Sequence, residues 1–127
     1  MWKKEGANIR KKIKVILKNI TEKEEDIFEG YCIFNKNTYT YLNKDTTYKL
    51  QDKENKIILT RENDKIRHVM IFSSKIEKTE YYLKEYNNCI EFKIKTNNIE
   101  KSNNKIEISY TILDSDIDYI YIIEMSD

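Results

Sequence analysis

At 127 residues and a formal net charge of +1, the chain has room for one domain built around one core. Its 39% hydrophobic and 35% charged residues exclude a disordered tail, and the near-neutral balance excludes a strongly basic nucleic-acid binder. Proline is absent, Gly6 and Gly30 are the sole glycines, and Ile, Lys, Asn and Tyr supply about half of the chain. All four are encoded by AT-rich codons, so a biased genome accounts for the many tyrosines and asparagines.

The N-terminal run "MWKKEGANIRKKIKVILKN" is basic, but its longest uninterrupted apolar piece is "VIL". That is too short for the apolar region of a signal peptide or for a membrane helix, and a cytoplasmic location is expected. Within it, "IKVIL" sets Ile13, Val15 and Leu17 on one face and Lys12, Lys14 and Lys18 on the other. "ITEKEEDIFEG" is the one stretch with room for a helical turn. Further on, "CIEFKIKT" opposes Ile90, Phe92 and Ile94 to Glu91, Lys93 and Lys95. "KIEISYTIL" opposes Ile106, Ile108, Tyr110 and Ile112 to Glu107, Ser109 and Thr111. This period of two, with charge on one face, is the mark of antiparallel strands with one wet face.

Polar clusters such as "NKN", "NKD", "ENDK" and "KSNN" punctuate these runs. The pattern predicts strands over 8–20, 26–35, 38–43, 46–51, 56–62, 66–73, 79–86, 89–97, 105–113 and 118–125. Eight to ten short antiparallel strands in one small domain close most economically into an up-and-down barrel, which removes exposed edges. With glycine so scarce, asparagine is the expected occupant of left-handed turn positions. Cys32 and Cys89 have no CxxC partner, and free thiols are the expected state, with a disulfide the lesser alternative.

The order "EGYCIFNKNTYTYLNKDTTYKL", "IILTREND", "RHVMIF", "TEYYLKEYNNCIEFKIKTNNIE" and "KIEISYTIL" resembles the YwiB-like bacterial family of calycin-like barrels, a domain family of unknown function. The resemblance spans about residues 9–125. It rests on Gly30, Tyr39 with Tyr41, Thr46 with Thr47, Arg61, Met70 with Phe72, Tyr81 with Tyr82, and Thr96. Asn43 stands where the family usually carries an acid, and Asn63 and Asn88 stand at turns where it favours glycine. The resemblance implies a lipocalin-like closed meander and carries over no ligand or reaction.

Among single residues, Arg61 is the most pointed. In "KIILTREND" it shares a face with Ile57 and Leu59. On the inside of a barrel its two-pronged guanidinium would receive a carboxylate or phosphate in a way lysine does not. The structural alternatives are an internal salt bridge or a rim position from which the head group reaches water. Tyr39, Tyr41 and Thr47 are the candidate polar neighbours of such an anion site. His68, the sole histidine, is in phase with Ile66, Met70 and Phe72 and reads as a partly buried, hydrogen-bonded side chain. No metal-ligand spacing, P-loop, GxSxG or HExxH pattern occurs, so no cofactor, metal or catalytic residue is assigned. The acidic "DSDID" reads as a solvated loop.

The leading expectation is a non-enzymatic binding module for a small, partly apolar anion, with Arg61 as its partner. The alternative is a protein- or RNA-interaction module using the outer surface and the basic first strand, whose lysines are followed at once by the acidic run Glu22 to Glu29.

Overall fold

A computed structural model describes residues 8–126. Lys3 and Lys4 of the basic N-terminal run, and Gly6, lie outside the described residues. Ten strands follow in order: β1 (Ile9–Asn19), β2 (Glu24–Asn35), β3 (Thr38–Asn43), β4 (Thr46–Asp52), β5 (Ile57–Glu62), β6 (Ile66–Phe72), β7 (Glu77–Leu83), β8 (Asn88–Ser102), β9 (Lys105–Ile112) and β10 (Ile117–Ser126). Each pairs antiparallel with its sequence neighbours, and β1 pairs antiparallel with β10, closing the sheet into a barrel. The described residues contain no helix. "ITEKEEDIFEG", where a helical turn was an option, is instead a tight turn at 20–23 followed by β2.

Alternation decides which side chains enter the barrel. Ile13 and Val15 of β1, Leu50 of β4, Ile57 and Leu59 of β5, and Met70 and Phe72 of β6 all face inward and are buried. The barrel is unevenly filled. At the end that carries the β2–β3, β4–β5, β6–β7 and β8–β9 turns, Leu50, Ile57, Phe72, Ile94 and Ile123 are at most 1% exposed. Burying each such side chain is worth about 1.5–3 kcal/mol, so this end is the stabilising core. The opposite end, ringed by the β1–β2, β3–β4, β5–β6, β7–β8 and β9–β10 turns, is lined by larger and more polar residues and stays partly open.

Strand β8 runs on to Ser102, five residues past the predicted end. The segment "NNIEK" breaks strict alternation because a β-bulge between Thr96 and Asn98 absorbs one residue. After the bulge Ile99 stands opposite inward-facing Ile108. Without the extra residue the pleat would turn Ile99 outward, the consequence of a one-residue slip.

The turns depart from expectation. Left-handed backbone occurs at Lys23, Lys36, Asn37, Lys44, Asn87 and Asp116, so lysine carries this role more often than asparagine does. Asn63 and Asn88 do not adopt it. Asn63 works through its side chain: Oδ1 accepts the amides of Lys65 at 2.8 Å and Ile66 at 3.0 Å, the Asx-turn solution. Asn88 already belongs to β8, and the left-handed position falls one residue earlier, at Asn87.

Lys36 and Asn37 form a two-residue hairpin loop with φ of 49° and 63°, a type I′ turn. A β-carbon strains the left-handed region, least so for asparagine and not at all for glycine. The double change Lys36→Asn with Asn37→Gly is expected to stabilise the fold by about 1 kcal/mol. A raised urea midpoint at unchanged m-value is the readout.

Candidate functional site

Cross-strand register lays five inward-facing side chains side by side at the open end. Tyr41 on β3 stands opposite Tyr48 on β4, Tyr48 opposite Arg61 on β5, Arg61 opposite His68 on β6, and His68 opposite Tyr81 on β7. The belt is packed as aromatic faces. Tyr41 and Tyr48 stack at 4.8 Å with planes 2° apart, and Phe28 of β2 extends the stack at 5.6 Å from Tyr41. Gly30 permits this, because a β-carbon there would meet the Phe28 ring at 2.7 Å. Across the lumen, Tyr110 and Tyr119 stack at 5.3 Å.

Arg61 is the one cation within this belt. Its Nε donates to His68 Nδ1 at 3.1 Å, and its guanidinium lies 5.7 Å from the centre of the Tyr81 ring, a cation–π distance. Among the described residues no carboxylate lies within 4.0 Å of it, and its Nη atoms make no hydrogen bond. The guanidinium is therefore anchored by one edge and open along the other. Both structural alternatives meet only halfway here: Arg61 sits near the rim, partly enclosed, with no ion pair.

His68 is 6% exposed. Desolvation and, second, the neighbouring guanidinium push its pKa down to about 4, so the ring is neutral near pH 7. With Nδ1 accepting from Arg61, the ring proton resides on Nε2, which is buried without a partner. Tyr41 and Tyr121 share a hydrogen bond at 2.8 Å, and burial raises the pKa of both, as it does for Tyr110. These hydroxyls stay protonated near neutral pH, and His68 Nδ1 is already engaged. Such groups are poor general acids or bases. Among the described residues no group of three His, Cys, Asp or Glu side chains is arranged to hold a metal ion.

Two lobes of free space meet at the belt and share Leu17, Tyr48, Arg61 and Tyr121 as walls. The inner lobe, about 250 Å³, is walled mainly by aromatic and aliphatic groups, Leu59, Met70, Phe92 and Ile112 among them. The outer lobe, about 400 Å³, is bordered by Asp26 and by Asn43, Lys44, Asp45 and Thr46 of the β3–β4 turn. Arg61 stands at the seam between an apolar and a polar space.

The residues singled out in the sequence do not all converge here. Arg61 and Tyr41 do. Tyr39 shares the inward phase of Tyr41 but lies two residues earlier in β3, ~7 Å toward the filled end. There it packs on Phe34 at 4.6 Å, opposite Leu50, and lines neither lobe. Thr47 is exposed on the outer face, opposite Leu42 and Glu62, because alternation sends Tyr48 inward with Leu50. Tyr48, Tyr81, Tyr110, Tyr119 and Tyr121 were missed. Phase with Leu50 marks Tyr48 in the sequence, but only strand register brings the others to one ring. His68 takes the hydrogen-bonded place expected for it. Cys32 and Cys89 are free, the first buried and the second exposed. The basic face of β1 is interleaved with acid: Lys14 lies between Glu29 and Glu124, and Lys18 lies opposite Glu25.

His68 makes stability depend on pH. Its folded-state pKa lies below the ordinary 6.5, so as pH falls the unfolded chain takes up the proton first. Stability fully present above pH 6.5 is lost as pH falls toward about 4, roughly 3 kcal/mol in all. Urea midpoints measured across this interval should show the slope in the wild type and not in His68→Gln. The tyrosine pair gives a second check. Tyr41→Phe leaves the buried Tyr121 hydroxyl unpartnered and should cost about 1–3 kcal/mol, whereas adding Tyr121→Phe should recover most of the loss in a double-mutant cycle.

The chain matches no family model and no curated protein. Among solved structures it is similar to the YwiB protein from Bacillus subtilis, with a TM-score of 0.66 over 98% of this chain and 95% of that one. Sequence identity is 15%, so what the two chains share is the barrel fold.

Proposed function

We propose that the protein is a non-enzymatic binding module of the YwiB-like, calycin-like type, and that its open barrel end accepts a small, partly apolar anion. The observation that carries this reading is the guanidinium of Arg61. One edge is tied to a neutral histidine, and the Nη edge is unmatched by any carboxylate within 4.0 Å among the described residues. An Nη1/Nη2 edge presents two parallel N–H donors, the geometry that fits a carboxylate or phosphate. A cation half-removed from water gains most from an anion that completes its coordination. The apolar walls of the inner lobe supply the rest of the affinity. Tyr48, Tyr121 and the Arg61–His68 pair replace Tyr39 and Thr47 as the polar neighbours of this site. Two free thiols fit a reducing compartment such as the cytoplasm.

Native mass spectrometry of the freshly purified protein tests the proposal. The expected result is a non-covalent adduct that disappears on denaturation and is lost or strongly reduced in a folded Arg61→Gln variant. An adduct of equal occupancy in that variant would overturn the assignment of Arg61. Retarded RNA mobility at low salt, steeply weakened by added salt, would favour the outer-surface alternative instead.

A further inference from the structure

We propose that the ligand is a compact, planar aromatic monocarboxylate of one or two rings, its ring in the inner lobe and its carboxylate on the Nη edge of Arg61. This rests on the reading of the open end as an anion site and narrows it by shape, surface and charge.

Shape comes first. Leu59 and Met70 face each other one inward position below Arg61 and His68, ~7 Å along their strands. One inward position further, Ile57 and Phe72 face each other at 1% and 0% exposure. The lobe therefore ends at a floor of packed side chains. A long acyl chain has no channel beyond it and would have to displace Ile57 and Phe72 from a filled core. At about 250 Å³ the lobe is smaller than the roughly 300–1,000 Å³ of drug-sized sites, which suits a ring system rather than an extended chain.

Surface narrows it further. Six of the side chains around the lobe are aromatic: Tyr48, Tyr81, Phe92, Tyr110, Tyr119 and Tyr121. Ring faces and edges favour another ring over a saturated chain of equal area. The Met70 thioether adds a polarizable contact that aromatic groups exploit well.

Charge selects the head group. Among the described residues Arg61 is the sole cation lining the inner lobe, and His68 beside it is occupied as an acceptor. Outward of Arg61 the space is bordered, among the described residues, by Asp26 and Asp45 against Lys44. A single negative charge is matched by one guanidinium, whereas a phosphate dianion would face these two carboxylates with too little positive charge. A flat carboxylate also fits the flat fork of the Nη donors.

The wild-type full chain labelled with [methyl-¹³C]methionine provides a site-specific test. Met70 lines the inner lobe, while Met125 lies buried toward the filled end and serves as the internal control. The probes are indole-3-carboxylate, indole, decanoate and phenyl phosphate at neutral pH. Indole-3-carboxylate should shift the Met70 methyl saturably, leave Met125 nearly unmoved, and bind at least tenfold more tightly than each other probe. In Arg61→Lys, which keeps the charge and loses the fork, its affinity should fall at least tenfold. Decanoate or phenyl phosphate binding as tightly or more tightly at Met70 would overturn the aromatic carboxylate while leaving the open end an anion site. Indole binding as tightly as its carboxylate, or no probe moving Met70, would overturn the anion site as well. The comparison among probes needs only wild-type protein and stands whether or not the variant folds.

Discussion

The pairing of β1 with β10 is the constraint on which the rest depends. Its register runs from Lys12 opposite Ser126 to Asn19 opposite Tyr119 and joins the ends of a ten-strand meander. Closure satisfies the backbone groups that two free edges would expose. It also divides every strand into an inner and an outer face that no strand can exchange alone. A side chain pointing inward has nowhere else to go, so the interior must either be filled or hold something. At one end it is filled by branched aliphatic residues and Phe72. At the other, bulky polar rings stand off from one another and leave space.

Within that space the Arg61–His68 contact sets the electrostatics. An arginine half-buried without a carboxylate is costly unless its donors are met. Here a neutral histidine meets one of them, and burial, reinforced by the guanidinium, keeps that histidine neutral. The arrangement is self-consistent but incomplete, since the Nη edge has no protein acceptor among the described residues. Two of the surrounding tyrosines turn their hydroxyls onto each other, so the inner lobe is walled mainly by ring faces rather than by competing acceptors. A cation left open beside an apolar chamber is the observation on which the proposed binding function rests.

Much of the strand order was legible because each strand has one wet face. Isoleucine and lysine alternate almost without interruption, and the bounds of β3 follow directly from the polar clusters on either side. The end of β8 was not legible, because a bulge at Asn97 spends one residue and makes "NNIEK" look like a turn. The inward phase of Arg61 was legible from Ile57 and Leu59. Thr47 was expected beside Arg61, but phase with Leu50 turns it outward and Tyr48 inward. Asparagine was expected at the tight turns, but lysine took three of the six left-handed positions, since a surface turn whose side chain is free in water tolerates the modest local strain.

The all-β class, the approximate strands and the apolar face of each are written in the order of residues, because they follow from a period of two along a single strand. Which residues meet depends on how the strands are assembled. Register across successive strands set Tyr41, Tyr48, Arg61, His68 and Tyr81 side by side, and closure brought Tyr110, Tyr119 and Tyr121 around to face them. Neighbourhood in a barrel is set perpendicular to the chain, by hydrogen bonding between strands, and alternation along the chain carries no information in that direction.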